Sequence, residues 1–236
     1  MLDGWLFLLR WFHFLAGITW IGMLYYLNFA QVPFFAGAEA PVRTGMIAGG
    51  LVARVLWWFR WGAMLTFLTG WLYLLHKMGQ AGFGPFLSGT YGWSILIGGL
   101  IGTLMWFNVW FVIWPAQQIV MASATQVSKG GQAIPEAAAR GQRAGFTSRT
   151  NTLLSIPMLF FMGAAMHLTM ASPKTAGQSW RAIILLLVVM AAAEINAMFG
   201  TAGAGKKMLS TLKGTFWGGF VLSAVLYFGL VVILGS

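Results

Sequence analysis

The sequence contains three histidines, and each lies within or at the end of an apolar segment long enough to span a bilayer: His13, His76 and His167. An imidazole in hydrocarbon is costly, so it usually has a partner such as a metal, a cofactor or a proton path. Two histidines that face each other on packed helices can hold a haem between them. We therefore predict that these residues are axial ligands of haem iron, with His13 and His167 as the preferred pair.

Each candidate residue also has a simpler interpretation. His76 precedes Lys77 at the end of an apolar segment, where both side chains can reach the lipid headgroups. His13 and His167 can each be structural, bonded only to a neighbouring helix. Arg10 lies one helical turn from His13 and is placed to bind a haem propionate or, alternatively, a lipid headgroup. An axial pair that includes His76, or a second haem, also stays open.

Composition sets the class of protein. Of the residues, 59% are hydrophobic and only 8% are charged, whereas a soluble domain carries roughly 25% charged residues. We therefore predict an integral membrane protein that contacts lipids. The net charge of +10 is spread through short loops, which favours a role in membrane topology over binding of nucleic acid. The absence of cysteine excludes disulfides, thiolate metal sites and covalent c-type haem, so a haem bound here is haem b.

The apolar segments predict an all-α, polytopic membrane bundle of six transmembrane helices, at about 20 residues per span. It forms a single domain over residues 1–236, and we expect the first helix to be retained because it has no signal cleavage motif. Pro115 is expected to end the third helix, and short interfacial helices are expected in 31–53 and 115–150. The predicted spans are 2–29, 55–76, 93–114, 152–170, 181–199 and 216–234.

Basic residues predict the orientation. Nine of the fourteen fall in the loops after the first, third and fifth predicted helices. By the positive-inside rule these loops are cytoplasmic, so both termini are predicted to be periplasmic, in a bacterial inner membrane. This orientation places all three histidines in the outer leaflet. The nine residues are Arg43, Arg54, Lys129, Arg140, Arg143, Arg149, Lys206, Lys207 and Lys213.

Two charged residues lie at matched depth in the inner half of the predicted bundle, Arg60 in the second helix and Glu194 in the fifth. An ion pair would offset the cost of burying each charge, and we predict that they form a structural pair. The functional alternative is a proton path to the haem or a quinone pocket. Asn108, near the middle of the third helix, is expected to bond to a neighbouring helix.

Three blocks occur in order along the chain: RWFHFLAGITWIG at 10–22, GTLMWFNVWFVIWP at 102–115 followed by AQQ, and RTNTLLSIPMLFF at 149–161. They resemble the N-terminal membrane domain of bacterial cytochrome-c-linked urate oxidases. The first block is also loosely similar to the first helix of the membrane protoporphyrinogen oxidase and copper-resistance membrane families. The resemblance implies a domain that carries electrons to or from cytochrome c on the periplasmic side, with His13 and His167 in or beside matching blocks and His76 outside them. Long members of the family continue into a cytochrome c domain, which we do not expect in a sequence without cysteine.

These observations predict a b-type haem membrane cytochrome, with one or two haems, that relays electrons near the periplasmic face. Its predicted partner is cytochrome c or a quinone, and a homo-oligomer stays open. One alternative is an enzyme, a haem-dependent membrane oxidase of a small reductant such as urate or a porphyrinogen; an open axial position would favour it. The other is a copper- or zinc-binding transporter or assembly subunit, in which Met166 and Met170 supply soft ligands beside His167.

Overall fold

A computed structural model describes residues 2–168 and 172–235, and within these residues the chain is helical with no strand. The predicted all-α class is confirmed. Five helical stretches are long and apolar enough to cross a membrane, which makes the chain a multi-pass membrane protein. These five stretches are Gly4–Gly37, Leu51–Ala81, Thr90–Ser128, Ala176–Met198 and Leu212–Gly235.

The helices form a bundle in which short elements connect the long ones. Two long stretches contain a π-helical segment, named π1 and π2 below. In chain order the elements are α1 (Leu2–Tyr25), π1 (Tyr26–Gln31), α2 (Val32–Gly37), α3 (Ala40–Ala48), α4 (Leu51–Ala81), α5 (Phe83–Ser88), α6 (Thr90–Phe107), π2 (Asn108–Ile113), α7 (Trp114–Ser128), α8 (Ala137–His167), α9 (Ala176–Met198), α10 (Ala204–Leu209) and α11 (Leu212–Gly235).

A proline follows each π-helical segment. The prediction that Pro115 ends the third helix is wrong, because the helix runs on through α7 to Ser128. Proline has no N–H and collides with the carbonyl of the preceding turn. In π2, which ends at Ile113 two residues before Pro115, the hydrogen bonds span five residues and the turn is wider. The wide turn leaves room for the proline ring, and Pro33 is accommodated in the same way after π1.

The fourth predicted helix begins earlier in the structure than its apolar residues indicate. It is α8, which starts at Ala137 rather than at residue 152, and its predicted end at Met170 lies outside the described residues. The first half of α8 carries three arginines, and the helix is not among the five candidate spans. Residues 150–155 are nevertheless all buried against neighbouring helices. Because neighbouring helices enclose this stretch, it can be more polar than a helix segment that faces lipid.

The segments between the long helices agree only in part with the expected interfacial helices. In residues 31–53, α3 is a separate short helix, whereas α2 continues the first long helix, which runs unbroken to Gly37. Residues 115–150 instead extend the two neighbouring long helices, as α7 and the first half of α8. The second predicted helix is also longer than its apolar core, because α4 runs from Leu51 to Ala81.

Close packing of α1 against α4 fixes the position of His13. At Gly62 of α4, an added Cβ would lie 3.0 Å from the backbone nitrogen of Trp20 and 3.3 Å from the carbonyl oxygen of Ala16. The two backbones therefore touch, as small residues allow in membrane helices. Two turns further along α4, the same close approach brings His13 against Gly70.

Candidate functional site

His13 is held in one orientation by α4. Its Nδ1 lies 3.0 Å from the carbonyl oxygen of Thr66 and 3.3 Å from Oγ1 of Thr69. A carbonyl oxygen can only accept a hydrogen bond, so Nδ1 carries the hydrogen and donates it to Thr66. The neutral ring then has its lone pair on Nε2. A backbone carbonyl that orients the ring in this way is the usual support of a histidine that ligates a metal.

Gly70 provides the space that the imidazole fills. A Cβ at this position would lie 2.9 Å from Cε1 and 3.1 Å from Nδ1 of His13. Such distances are shorter than ordinary contacts between carbon and ring atoms, and the ring is rigid. The bond to Thr66 therefore requires glycine at residue 70.

Replacing Gly70 by alanine is expected to displace the His13 ring. Overpacking of this kind costs roughly 1–3 kcal/mol, and it should also lengthen the bond from His13 to Thr66. We expect a lower thermal unfolding midpoint in detergent and a changed chemical shift of the imidazole. Gly79→Ala is the matched control, because it lies on the same helix and no atom lies within 4 Å of its added Cβ. Equal behaviour of the two variants would contradict the close contact.

His13 faces a cavity of about 470 Å³ between α1, α4, α6 and α8. This volume is in the range of small-molecule and cofactor pockets. The walls are mostly apolar, and Gly22 and Gly99 have no atom within 4 Å of an added Cβ, so both leave open space. Exposed side chains such as Ile18 and Leu159 lie on its rim, so the cavity opens at the side of the bundle.

Polar side chains in the cavity wall cluster around Arg10. Its guanidinium lies over the ring of Tyr73, 5.8 Å from the centroid. The side chains of Tyr73 and Tyr91 lie close enough to interact, and all three residues line the cavity. The cavity therefore combines an imidazole, a cation and two phenol groups with apolar walls.

The wall supplied by α8 carries methionines rather than histidine. Met158, Met162 and Met166 are spaced by four residues, so they share one face of the helix and line the cavity. His167 lies at the end of α8, is exposed, and is not part of this wall. His76 is half-buried and also lies away from the wall, and its Nε2 is buried without a hydrogen-bond partner within the described chain. The structure thus brings His13 and Arg10 to one cavity and leaves His76 and His167 outside it.

Arg60 and Glu194 contact different side chains in the described structure, and the ion pair between them stays a prediction. The guanidinium carbon of Arg60 lies 3.9 Å from the ring centroid of Trp114 and 5.0 Å from that of Trp110. Oε2 of Glu194 accepts a hydrogen bond of 3.0 Å from Nδ2 of Asn108. Aromatic faces attract a cation without a carboxylate, so the tryptophans of the third span compensate the arginine.

Asn108 forms the cross-helix bonds that the sequence indicated. Its Nδ2 also lies 3.0 Å from Oδ1 of Asn151, and Nδ2 of Asn151 donates to the carbonyl oxygen of Met105 at 2.9 Å. Sequence reasoning placed Asn108 against another helix, and it missed Asn151 as the partner. Asn151 lies before residue 152, where the apolar pattern places the start of the fourth helix.

Within the described residues, no three His, Cys, Asp or Glu side chains come together as a metal site. The cavity thus offers one imidazole and several thioethers. Sequence reasoning found His13 and Arg10, and it missed Thr66, Gly70 and most of the methionine row. The four-residue spacing of that row is visible in the sequence. Which face of α8 lies toward α1, however, is decided by the packing of the bundle.

The fold and the cavity define a multi-pass membrane protein of helical class with a side-opening pocket. The chain belongs to the urate oxidase N-terminal family, whose pattern matches residues 84–230, more than half of the chain. The resemblance found in the sequence is thus confirmed for the family. The match contains the blocks at 102–115 and 149–161 and also His167, and it does not extend to His13. Comparison with curated proteins and with solved structures finds no match.

Proposed function

We propose that this chain is a b-type haem membrane cytochrome that relays electrons near the periplasmic face of a bacterial inner membrane, to or from cytochrome c or a quinone. One observation carries the proposal. His13 lies in the wall of a cavity of about 470 Å³, with Nδ1 bonded to a backbone carbonyl and the lone pair left on Nε2. That arrangement is what a haem-iron ligand needs.

The residues around the cavity fit a haem in size and chemistry. Gly22 and Gly99 leave open space along the walls, and the lining is mostly apolar. Arg10, beside Tyr73 and Tyr91, supplies a cation and hydroxyl groups for the propionates. Bound there, haem would supply one-electron redox chemistry. The protein holds the cofactor, orients His13 through Thr66, and keeps the apolar walls dry.

A second axial ligand has two candidate sources. Pairing of His13 with His167 stays a prediction, and it requires the exposed end of α8 to turn toward the cavity. The methionine row of α8 already lines the cavity, with Met162 half-buried and packed 3.2 Å from the position of a Cβ on Gly98. If haem binds beside His13, this row would supply the second ligand to the iron, because pairing of methionine with histidine is an established haem ligation.

An absorbance spectrum of the purified protein tests the proposal. We expect a Soret band and an α band that sharpen on reduction, since a ligated haem b is held. Acidified acetone should extract the pigment completely, because without cysteine no thioether can form. A colourless protein, or pigment that stays on the polypeptide, would refute haem b.

The family links the chain to urate oxidation, and we propose that the electrons come from a small reductant of this kind. Addition of urate without oxygen should reduce the bound haem, and oxidised cytochrome c should then reoxidise it. Rapid uptake of oxygen by the purified protein with urate alone would instead favour the membrane oxidase. An oxidase needs an open position on the iron. A cavity wall with one histidine in the described chain is compatible with that requirement.

Binding of copper is the second candidate function, and the methionine row favours it. Thioether and imidazole ligands together suit Cu(I), and the row lies in the same cavity as His13. A colourless protein that binds one Cu(I) and loses it in the variant Met162→Leu would support this candidate. Zinc, which has little affinity for thioethers, should not compete.

We propose that α8 is a sixth span, so that both termini are periplasmic. Its second half lies among the candidate spans, and basic residues cluster in the loops after the first, third and fifth helices. A C-terminal alkaline phosphatase fusion should therefore be active and a C-terminal green fluorescent protein fusion dark. Fusions after residue 131, in the loop before α8, should show the reverse. The same phosphatase result at both places, active or inactive, would remove α8 from the spans, because α9 and α11 alone return the chain to the same side.

A further inference from the structure

A second cavity, of about 300 Å³, lies toward the other end of the bundle from His13. Along α8 its wall uses residues 142–149, whereas the cavity beside His13 uses residues 158–166. The nine steps from residue 149 to residue 158 correspond to about 13 Å of helix. The two cavities are therefore separate sites, and the second one lies on the side where the basic loops are found.

The first π-helical segment builds one wall of the second cavity. Asn28 and Gln31 of π1 both line it, and Nδ2 of Asn28 donates to Oγ of Ser148 on α8 at 2.9 Å. Wide turns of this kind are frequent at functional sites. Gln31 is only 6% exposed, yet its Oε1 has no hydrogen-bond partner in the described part of the chain. Gln31 thus lines the cavity and carries a buried acceptor that has no donor among the described residues.

Arg149 places a charged donor in the same wall. Its Nη1 is buried and has no hydrogen-bond partner among the described residues. No Asp or Glu is among the described residues that line this cavity, so the wall offers no counter-ion. Arg149 is half-buried, and a cation that is partly removed from water is stabilised by a counter-ion. The cavity therefore suits a ligand that brings an anion to Arg149 and a hydroxyl donor to Gln31.

We propose that this second cavity binds a phosphate ester with neighbouring hydroxyl groups, the chemistry shared by a phosphatidylglycerol headgroup and free glycerol 3-phosphate. The guanidinium of Arg149 pairs with the phosphate oxygens, to which its fork of N–H groups is matched. Oε1 of Gln31 accepts a hydrogen bond from a glycerol hydroxyl. Basic pockets between helices on the cytoplasmic side bind anionic lipid headgroups in other membrane proteins. This site does not depend on the redox proposal.

Native mass spectrometry of the full chain, purified from membranes that contain phosphatidylglycerol, tests this site. We expect one phosphatidylglycerol to stay bound in the parent protein. The variant Arg149→Gln should weaken its retention by about tenfold or more, the effect of losing a charge-assisted bond. Arg143→Gln is the matched control, since Arg143 lies on the same helix, is exposed and is not in the cavity wall. Gln31→Met keeps the side-chain size and should also weaken retention if Arg149→Gln does not fold.

A second arm separates the two sources of phosphate. Glycerol 3-phosphate is titrated into protein freed of lipid, with phosphatidylcholine as the lipid control. Saturable binding of glycerol 3-phosphate that Arg149→Gln removes, without retained lipid, supports the site with a soluble ligand. Equal retention of phosphatidylglycerol by both arginine variants, or retention of phosphatidylcholine to the same degree, overturns it. If the protein neither retains phosphatidylglycerol nor binds glycerol 3-phosphate, the proposal is also overturned, and water is left as the content of the cavity.

Discussion

The variant His13→Ala is expected to purify with most of its haem lost and without a low-spin spectrum. His13 is the histidine in the cavity wall within the described chain, and its Nδ1 bond to Thr66 leaves Nε2 for the iron. Alanine removes that ligand and enlarges the cavity. The measurement is the ratio of the Soret absorbance to the protein absorbance after purification, together with the reduced α band.

Two comparisons make this result specific to ligation. His76→Ala should keep the haem, because His76 lies away from the cavity wall. The variant His13→Gly, supplied with free imidazole during purification, should regain the low-spin spectrum if His13 acts as a ligand. His167→Ala and Met162→Leu then separate the two sources of the second ligand. Retention of a full haem complement by His13→Ala would remove His13 from the site.

The sequence predicted those features of the fold that depend on hydrophobicity alone. Long apolar segments indicate membrane helices, and the bundle of helices is confirmed. Helix ends were less predictable, because a proline normally marks an end and here the turn before Pro115 widens to accommodate it. The start of α8 was missed because its first residues are small or polar and mostly exposed, so no apolar pattern marks them as part of a long helix.

Part of the candidate site could be predicted, because some of its residues are recognisable by their type alone. A histidine or an arginine in an apolar segment stands out, and both His13 and Arg10 reach the cavity. Which residues face them depends on the rotation of each helix, and no pattern in a single sequence gives that rotation. For this reason the sequence could not place His167 on the exposed side of α8, or the methionine row on the cavity side.

Whether Glu194 meets its predicted partner, Arg60, also depends on the rotation of each helix. Arg60 and Glu194 lie at matched depth, but depth does not determine which side chains meet across a bundle. Arg60 lies against Trp110 and Trp114, and its Nε is buried without a hydrogen-bond partner in the described residues. Cation–π attraction explains how the arginine is compensated, while the carboxylate depends on Asn108.

Replacing Asn108 by alanine is expected to destabilise the protein by about 3 kcal/mol or more, because it leaves a carboxylate oxygen and an amide oxygen buried without a donor. Nδ2 of Asn108 donates to both Glu194 and Asn151, and Asn108 is fully buried. Oε1 of Glu194 has no partner in the described structure, so the carboxylate has little else to stabilise it. The measurement is the free energy of unfolding in detergent, with Phe107→Leu on the lipid-facing side as the control.

A double-mutant cycle shows whether Asn108 or Arg60 compensates the carboxylate. Glu194→Leu should largely relieve the loss caused by Asn108→Leu, because two apolar side chains leave fewer groups unpaired than either single change. Arg60→Gln and Glu194→Gln should instead be additive, since the two residues share no partner in the structure. Strong coupling of Arg60 with Glu194, together with additive effects of Asn108 and Glu194, would contradict the observed network and restore the ion pair.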